Sequence, residues 1–437
     1  MRPCWIFIIT VVLCLSNTAC PMKTTDNSQD DGASASEGSG QDQPEEVRDD
    51  DDDDNKTDDN DSDDDNQGNV YTCADEILPP MTQPEILGKY FLVETMTTPE
   101  GGIWSNLKDT WPLEAGYGVN HDLLSESAGL ALMYAAYARD KALFDRYLAF
   151  VRDYLKTDDG LLIWRINLEL GEEETSSASI DDLRVVKGLL LGYECWREDG
   201  IRSLALQIAN GVKTYNFHDW ILIWGSYWDD GFVGVDNTPE KILSYIDTEA
   251  MQLLTGHDAS WDPILQDNVS FLSQGLIEPG NPLNGLFEDT YEGGQYQHDP
   301  NELASMIRGM HTALWLARGG RTDLAQRSLN MVKKEFNETH HISHKYHWDG
   351  SPEGGAQDMA VYGIIARLAY ALNDVSFAEA ILEKMSGIQI TEAGHPYYGA
   401  FTWEEDDIAD QRVYIFSHLN ALVVFAYQRY LNRIIPQ

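Results

Sequence analysis

The sequence predicts an all-α fold: six helical hairpins closed into a ring, an (α/α)6 toroid. Two observations carry that expectation. From about Thr72 to Gln437, apolar residues recur at three- and four-residue spacing, the helix period, with few strand-like alternations. The connections between these helical runs alternate strictly between short turns and long loops. A short connection makes antiparallel neighbours. Strict alternation over twelve runs therefore gathers all six long loops at one end of the ring.

The chain begins with a segment that reads as an export signal over residues 1–20. Arg2 supplies the positive charge, and Cys4 to Leu15 is an apolar core too short to span a bilayer comfortably. Thr18-Ala19-Cys20 resembles a lipobox, with Cys20 as the lipid attachment site and Asn17 where that box usually carries Leu. Residues 21–70 are Asp, Ser, Asn, Gly and Gln with hardly an apolar side chain, and Asp49 to Asp54 is an unbroken acidic block. Such a stretch cannot bury enough surface to fold and repels itself into a disordered, extended linker. An EF-hand over Asp59, Asp61 and Asp63 fails, because its sixth position would be Asp64 and its twelfth Val70. Residues 71–437 make the folded domain.

Charge limits the partners. The net charge of −43 excludes nucleic acid, which needs Lys and Arg against its phosphates. It also disfavours polyanionic substrates and suits a neutral or amine-bearing one. Of the five cysteines, Cys4 and Cys14 fall in the signal; Cys73 and Cys195 could pair in an oxidising compartment, or Cys195 could be a buried thiol within its helix.

In the folded part the expected helices are 84–97, 122–138, 141–155, 181–197, 200–215, 246–256, 261–277, 301–318, 322–336, 356–373, 375–386 and 410–433, the first pairing with the last to close the ring. The long loops are 98–121, 156–180, 216–245, 278–300, 337–355 and 387–409, and loops of that length are usually functional. They hold most of the tryptophans, including Trp104, Trp111, Trp164, Trp220, Trp224, Trp228, Trp348 and Trp403, interleaved with acids such as Asp229, Asp230, Asp289 and Glu404. Aromatic faces stack on the apolar faces of sugar rings and carboxylates accept from hydroxyls. One face so furnished points to a carbohydrate cleft, although some loop aromatics simply pin loops to the body.

The inner helices of such a ring begin at the long-loop face, so first-turn residues should point into the cleft: Glu126; Asp181 and Asp182; Asp247 and Glu249; Glu302; Asp358; Asp410. Each has a plain alternative, because acids at helix N-termini complement the dipole. Ser125 reads as an N-cap and Ser179 with Asp182 as a capping box. Hydrolysis of a glycosidic bond, however, needs a pair of carboxyl groups across one sugar, one of them kept protonated.

The segments Leu124-Ser-Glu-Ser-Ala-Gly, Phe144-Asp145, Gly160-Leu-Leu-Ile-Trp-Arg165 and Ser177-Ala-Ser-Ile-Asp-Asp-Leu183 resemble the first half of glycoside hydrolase family 8 and are similar to the related family 126. Both families have the (α/α)6 fold. The protein is further expected to be endo-acting, exported and monomeric and to hold no metal. The resemblance implies an inverting hydrolase of polysaccharides that needs no cofactor. It implies Glu126 as general acid and an Asp at 181 or 182 as the second carboxylate; Ile180 stands where family 8 has its first Asp. Tyr245 and Asp247 resemble a sugar-contacting segment. Trp104, Trp164, Trp228, Asp230, Asp289 and Trp348 complete the expected substrate-binding set, with Asp230, Asp247 and Asp289 in reserve as the base. A rival metal site at His340, His341, His344 and His347 lacks a cage spacing and an accompanying Cys. Two other readings fit the same fold: a glycan-binding lipoprotein that keeps the toroid without catalysis, and a lyase or epimerase.

Overall fold

A computed structural model describes residues 76–434, apart from 108–120, 229–239 (where only the backbone of Phe232–Val233 is described), Pro279, Pro282 and 403–412. Twelve α-helices lie in these residues: α1 (Gln83–Phe91), α2 (Ser125–Ala138), α3 (Lys141–Phe150), α4 (Ser179–Trp196), α5 (Asp199–Tyr215), α6 (Thr248–Thr255), α7 (Trp261–Gln274), α8 (Met306–Arg318), α9 (Thr322–Thr339), α10 (Met359–Ala371), α11 (Val375–Ile388) and α12 (Ile415–Leu431). Each expected helix is found, and α1 and α3 run on through single π-turns, Leu92–Met96 and Val151–Leu155. Tyr71–Gln437 is one compact unit.

The even-numbered helices form the inner ring: α2 packs on α4, α4 on α6, α6 on α8, α8 on α10, α10 on α12, and α12 back on α2. Burial explains the sorting. Helix α10 is buried from Met359 to Tyr370 on every side, and α2 nearly so; a helix apolar all round belongs inside. Outer helix α9 buries only Ala325, Ser328, Leu329, Met331, Val332, Glu335 and Phe336, one stripe at helical spacing. The inner helices touch closely: a Cβ on Gly129 would lie 2.7 Å from the Arg184 Cβ on α4, so α2 has no room for a side chain there.

The ring closes between the two ends of the domain. Arg429 on α12 grips the buried Glu85 of α1 with two bonds of 2.6 and 2.7 Å, and Ile77 and Ile434 exchange two 3.0 Å backbone bonds. Short antiparallel ladders in the long loops anchor the starts of inner helices. Cys195 is buried within α4, its thiol 3.8 Å from the Ala136 carbonyl, while Cys73, Cys20 and the 1–70 segment lie outside the described residues. Among the described residues no helix is long and apolar enough to cross a membrane.

Candidate active site

Two long loops set the position of Glu126. Leu123–Leu124 pairs antiparallel with Arg165–Asn167, Leu124 opposite Arg165, and the Ser125 N–H donates to the Trp164 carbonyl (3.0 Å). The ladder ends where α2 begins, so Glu126 is delivered at the second residue of the helix. Helix α4 is anchored the same way, with the Ser179 N–H on the Trp224 carbonyl (2.9 Å) and its hydroxyl on the Ile223 carbonyl (2.6 Å). The expected caps differ from this. Leu124 and Ala178 occupy the N-cap positions, and Ser125 and Ser179 use their hydroxyls to tie the helix starts to carbonyls of the long loops.

From these two starts Glu126 and Asp181 converge on one cation. Arg184 Nη1 donates to Glu126 Oε2 (3.1 Å) and to Asp181 Oδ1 (2.8 Å). Asp181 and Arg184 are three residues apart, neighbours on one helix face. The Phe416 ring lies 5.4 Å from the guanidinium, and the Ser125 hydroxyl stands 3.5 Å from Asp181 Oδ2. The side chains of Glu126, Asp181 and Arg184 are 18, 8 and 5 % exposed. Burial pushes the Glu126 carboxyl up to about 7; the Arg184 charge opposes the rise and the Asp181 charge adds to it. Burial likewise pushes Asp181 up to about 6, against Arg184 and the Ser125 hydroxyl. Water removed from two neighbouring carboxyls leaves one cation to stabilise them, and the balance favours a proton on the pair.

Tyr245 joins this group: burial raises its phenol, and the charges of Asp181 and Glu126 both act on it. The Leu243 N–H beside it donates to the Asp289 carbonyl (3.0 Å), and the Asp289 carboxylate faces Arg308 at 3.6 Å. Burial raises Asp289, opposed by Arg308, which also acts on Glu240 and Tyr245. Arg184 and Arg308 are missed by reasoning that searches for acids alone, and Glu240 is an acid that opens no helix. The three-residue spacing of Asp181 and Arg184 was the signal available for the first.

Several expected site residues are spent elsewhere. Asp182 is fully buried, accepting from the Leu162 N–H (3.1 Å) and the Asn216 amide (3.4 Å), and burial holds it well above the usual carboxylate range. It points away from Glu126 into the 156–180 loop and cannot meet a substrate. Asp247 is also fully buried: it caps α6 through the Ala250 N–H (2.9 Å) and pairs with Lys187. The buried Trp164 contributes its backbone to the α2 start and leaves little ring face for a sugar. Glu249 lies among Lys187, Arg318 and Arg367, Asp358 caps α10 and accepts from Ser417, and Glu302 falls before α8 rather than in it. The expected circle of acids thus narrows to Glu126 and Asp181, with Asp289 bonded through its backbone to the Tyr245 turn; Asp230 and Asp410 lie outside the described residues.

Three aromatic residues of the expected set are half-buried. Trp104 stacks on His121 (4.9 Å), Trp348 stacks on His298 (3.9 Å) while its indole N–H donates to the Glu302 carbonyl (2.8 Å), and the Trp228 N–H is held by the Thr175 carbonyl (2.7 Å). The loop histidines have protein partners: His341 faces Glu335 at 3.5 Å and His344 Nδ1 the Ala356 carbonyl at 3.0 Å. Among the described residues no three His, Cys, Asp or Glu side chains converge as a metal cage.

A helical toroid with two carboxyls sharing one guanidinium at the loop-bearing ends of its inner helices fits the class of glycoside hydrolases. The particular likeness is to glycosyl hydrolases family 8, whose model matches residues 116–273, the stretch that carries Glu126, Asp181 and Arg184. The chain is 22% identical over 315 residues to YdaJ, a candidate lipoprotein of Bacillus subtilis (strain 168), covering 72% of this chain and 80% of that protein. Its fold is similar to that of an α-amylase from Clostridium perfringens (TM-score 0.70, 24% identity, 80% of this chain and 99% of the other). It is also similar to that of the family 8 endoglucanase Cel10 from Klebsiella pneumoniae (TM-score 0.54, 14% identity, 78% and 99%).

Proposed function

We propose that the protein hydrolyses internal glycosidic bonds of a neutral or amine-bearing polysaccharide, with inversion, using Glu126 as general acid. The observation that carries this is the bridge from Arg184 to two nearly buried carboxyls. One guanidinium and two acids are electrically neutral with a single proton among them, the state that a poorly hydrated site favours. Asp181 has the shorter bond to Arg184 and the nearby Ser125 hydroxyl, so it keeps the negative charge and Glu126 keeps the proton. Glu126 then donates that proton to the leaving oxygen as the glycosidic C–O bond breaks. Ionised Asp181 accepts from a sugar hydroxyl and offsets the positive charge that builds on the ring.

Asp181 is too near Glu126 to be the base of an inverting step. Both bond to one nitrogen, so their nearest oxygens are at most about 6 Å apart, whereas an inverting pair stands roughly 6.5–9.5 Å apart to admit water. We assign the base to Asp289, beside the Tyr245 turn, where Arg308 opposes the burial that raises its carboxyl. It takes the proton of the water that attacks the anomeric carbon from the opposite face; exchange with solvent then resets both acids.

The test is a polysaccharide panel of starch, mixed-linkage β-glucan, xylan and chitosan assayed for new reducing ends, with product anomers read by NMR. Glu126→Gln and Asp289→Asn should each lose at least about a hundredfold in kcat, and the first product should have inverted configuration. A Glu126→Gln variant as active as wild type, or a retained configuration, overturns the reading. Export and lipid anchoring through Cys20, with residues 21–70 as spacer and the enzyme acting as a monomer, belong to the same proposal. Cys20→Ser should move the protein from the membrane to the soluble fraction, and no shift there would reject the anchor.

A further inference from the structure

One exposed tryptophan sits in a backbone conformation that its side chain disfavours. Phe217–His218 and Ile221–Leu222 form a two-residue hairpin, Phe217 opposite Leu222 and His218 opposite Ile221. The turn residues Asp219 and Trp220 have φ of 51° and 65°. Positive φ at both positions is the type I′ geometry that usually takes Asn-Gly. Arg139, Arg197 and His340 also have positive φ, each closing a helix, and His121, Glu278 and Asn373 have it in loops; among these residues Trp220 has the largest side chain. A bulky residue in this region is a true outlier, and such outliers persist where the surroundings hold them.

The surroundings do hold it. Asn268 on outer helix α7 is fully buried and clamps the turn: its amide donates to the Trp220 carbonyl (2.8 Å) and its oxygen accepts from the Leu222 N–H (3.0 Å). Phe217 packs edge-on against Trp261 of the same helix (5.9 Å). The mount is rigid, yet Trp220 is 62 % exposed. Beside it stand the Asp219 carboxylate, 87 % exposed, and His218, whose Nδ1 lies 3.2 Å from that carboxylate. Folding gains nothing from a strained, solvated tryptophan, so binding is the function that accounts for it.

We propose that this hairpin is a second glycan-binding platform, mounted on the outer helix layer away from the ring axis, where the Trp220 indole stacks on a pyranose face and Asp219 and His218 bond its hydroxyls. A rigid aromatic face flanked by polar groups matches a sugar, apolar on its ring faces and polar at its rim. One ring is too small for a stable protein interface, and the net charge of −43 repels an anionic membrane. The platform rests on the reading of the protein as polysaccharide-active and would hold the polymer at a second point, raising its effective concentration at the cleft.

The test is native affinity electrophoresis of Glu126→Gln protein in gels containing soluble starch, mixed-linkage β-glucan, xylan or glycol chitosan. At least one polymer should retard it. Adding Trp220→Ala should weaken that retardation roughly tenfold, Trp220→Phe should keep most of it, and Leu283→Ala, which removes another exposed apolar side chain (74 %), should change nothing. Trp220→Gly fits the turn without strain, so it should lose retardation while its Tm rises by ~1–3 °C, which separates lost binding from lost folding. The platform is refuted if Trp220→Ala is retarded as strongly as its parent, or if no polymer retards the parent although the wild type hydrolyses one. If the wild type neither hydrolyses nor binds any polymer, the polysaccharide reading falls together with the platform.

Discussion

Replacing Arg184 by Met removes the cation that Glu126 and Asp181 share and keeps most of its volume. Its Nη1 lies 3.1 Å from one carboxylate and 2.8 Å from the other. At an effective dielectric of about 20, opposite charges about 4 Å apart attract by ~4 kcal/mol, and measured shifts from such a neighbour are about 1–3 pKa units. The sign is fixed: the guanidinium favours the ionised forms, so its loss raises both acids. With Glu126 as the proposed acid, wild-type activity should fall as pH rises through about 7. With Asp181 ionised in the proposed step, activity should grow as pH rises through about 6. In Arg184→Met both limbs of the kcat/KM profile should move to higher pH, the alkaline one to ~8 or above. Arg184→Lys should fall between the two, since it restores a charge but not a fork that spans both acids. The assay is the pH profile of reducing-end release, checked by carbon NMR titration of the labelled carboxyls. If the alkaline limb stays near pH 7 or moves down, Arg184 does not set the proton affinity of the pair.

Two further outcomes concern stability. A carboxyl whose pKa is raised by folding stabilises the fold below its unfolded value and loses that contribution as pH rises through its folded value, here from about 4.5 to about 7 for Glu126. Glu126→Gln should therefore be more stable than wild type at pH 8, by ~2–3 kcal/mol after allowing for its partial exposure, and no more stable at pH 4; equal thermal shifts at both pH values would contradict this. Glu85→Ala leaves Arg429 buried without its carboxylate at the seam between α1 and α12, and should cost ~3–5 kcal/mol in denaturant unfolding; a loss below ~1 kcal/mol would mean that the pair does not hold the ring closed.

The helices were legible because helix periodicity is local. An inner helix such as α10 is apolar on every side and an outer one such as α9 on a single stripe, and both patterns can be read before anything is folded. The alternation of loop lengths carried the ring topology. Glu126 was legible for the same reason, as the acid at a helix start after a long loop. The divergence of Asp181 and Asp182 was not. Adjacent residues at a helix start point about 100° apart, so a small rotation of α4 decides which one meets Arg184 and which one faces the 156–180 loop. Rotation is set by contacts distant in sequence: Gly129 against Arg184, Ser179 against Ile223 and Asn216 against Asp182. Asp247 was misread for a related reason, because its cap to Ala250 is local but its burial against Lys187 comes from another helix.

The sequence by itself determined the toroid, the face that carries the long loops and the acid that opens α2, because each is written in periodicity, spacing and loop length. Only the tertiary structure decided which second acid joins Glu126, which cation the two share, and how the pair is held nearly dry enough to keep a proton near neutral pH. Those properties depend on burial and on charges brought together from distant parts of the chain, as Glu126 and Arg184 are, 58 residues apart, and water exclusion exists only once the helices have packed.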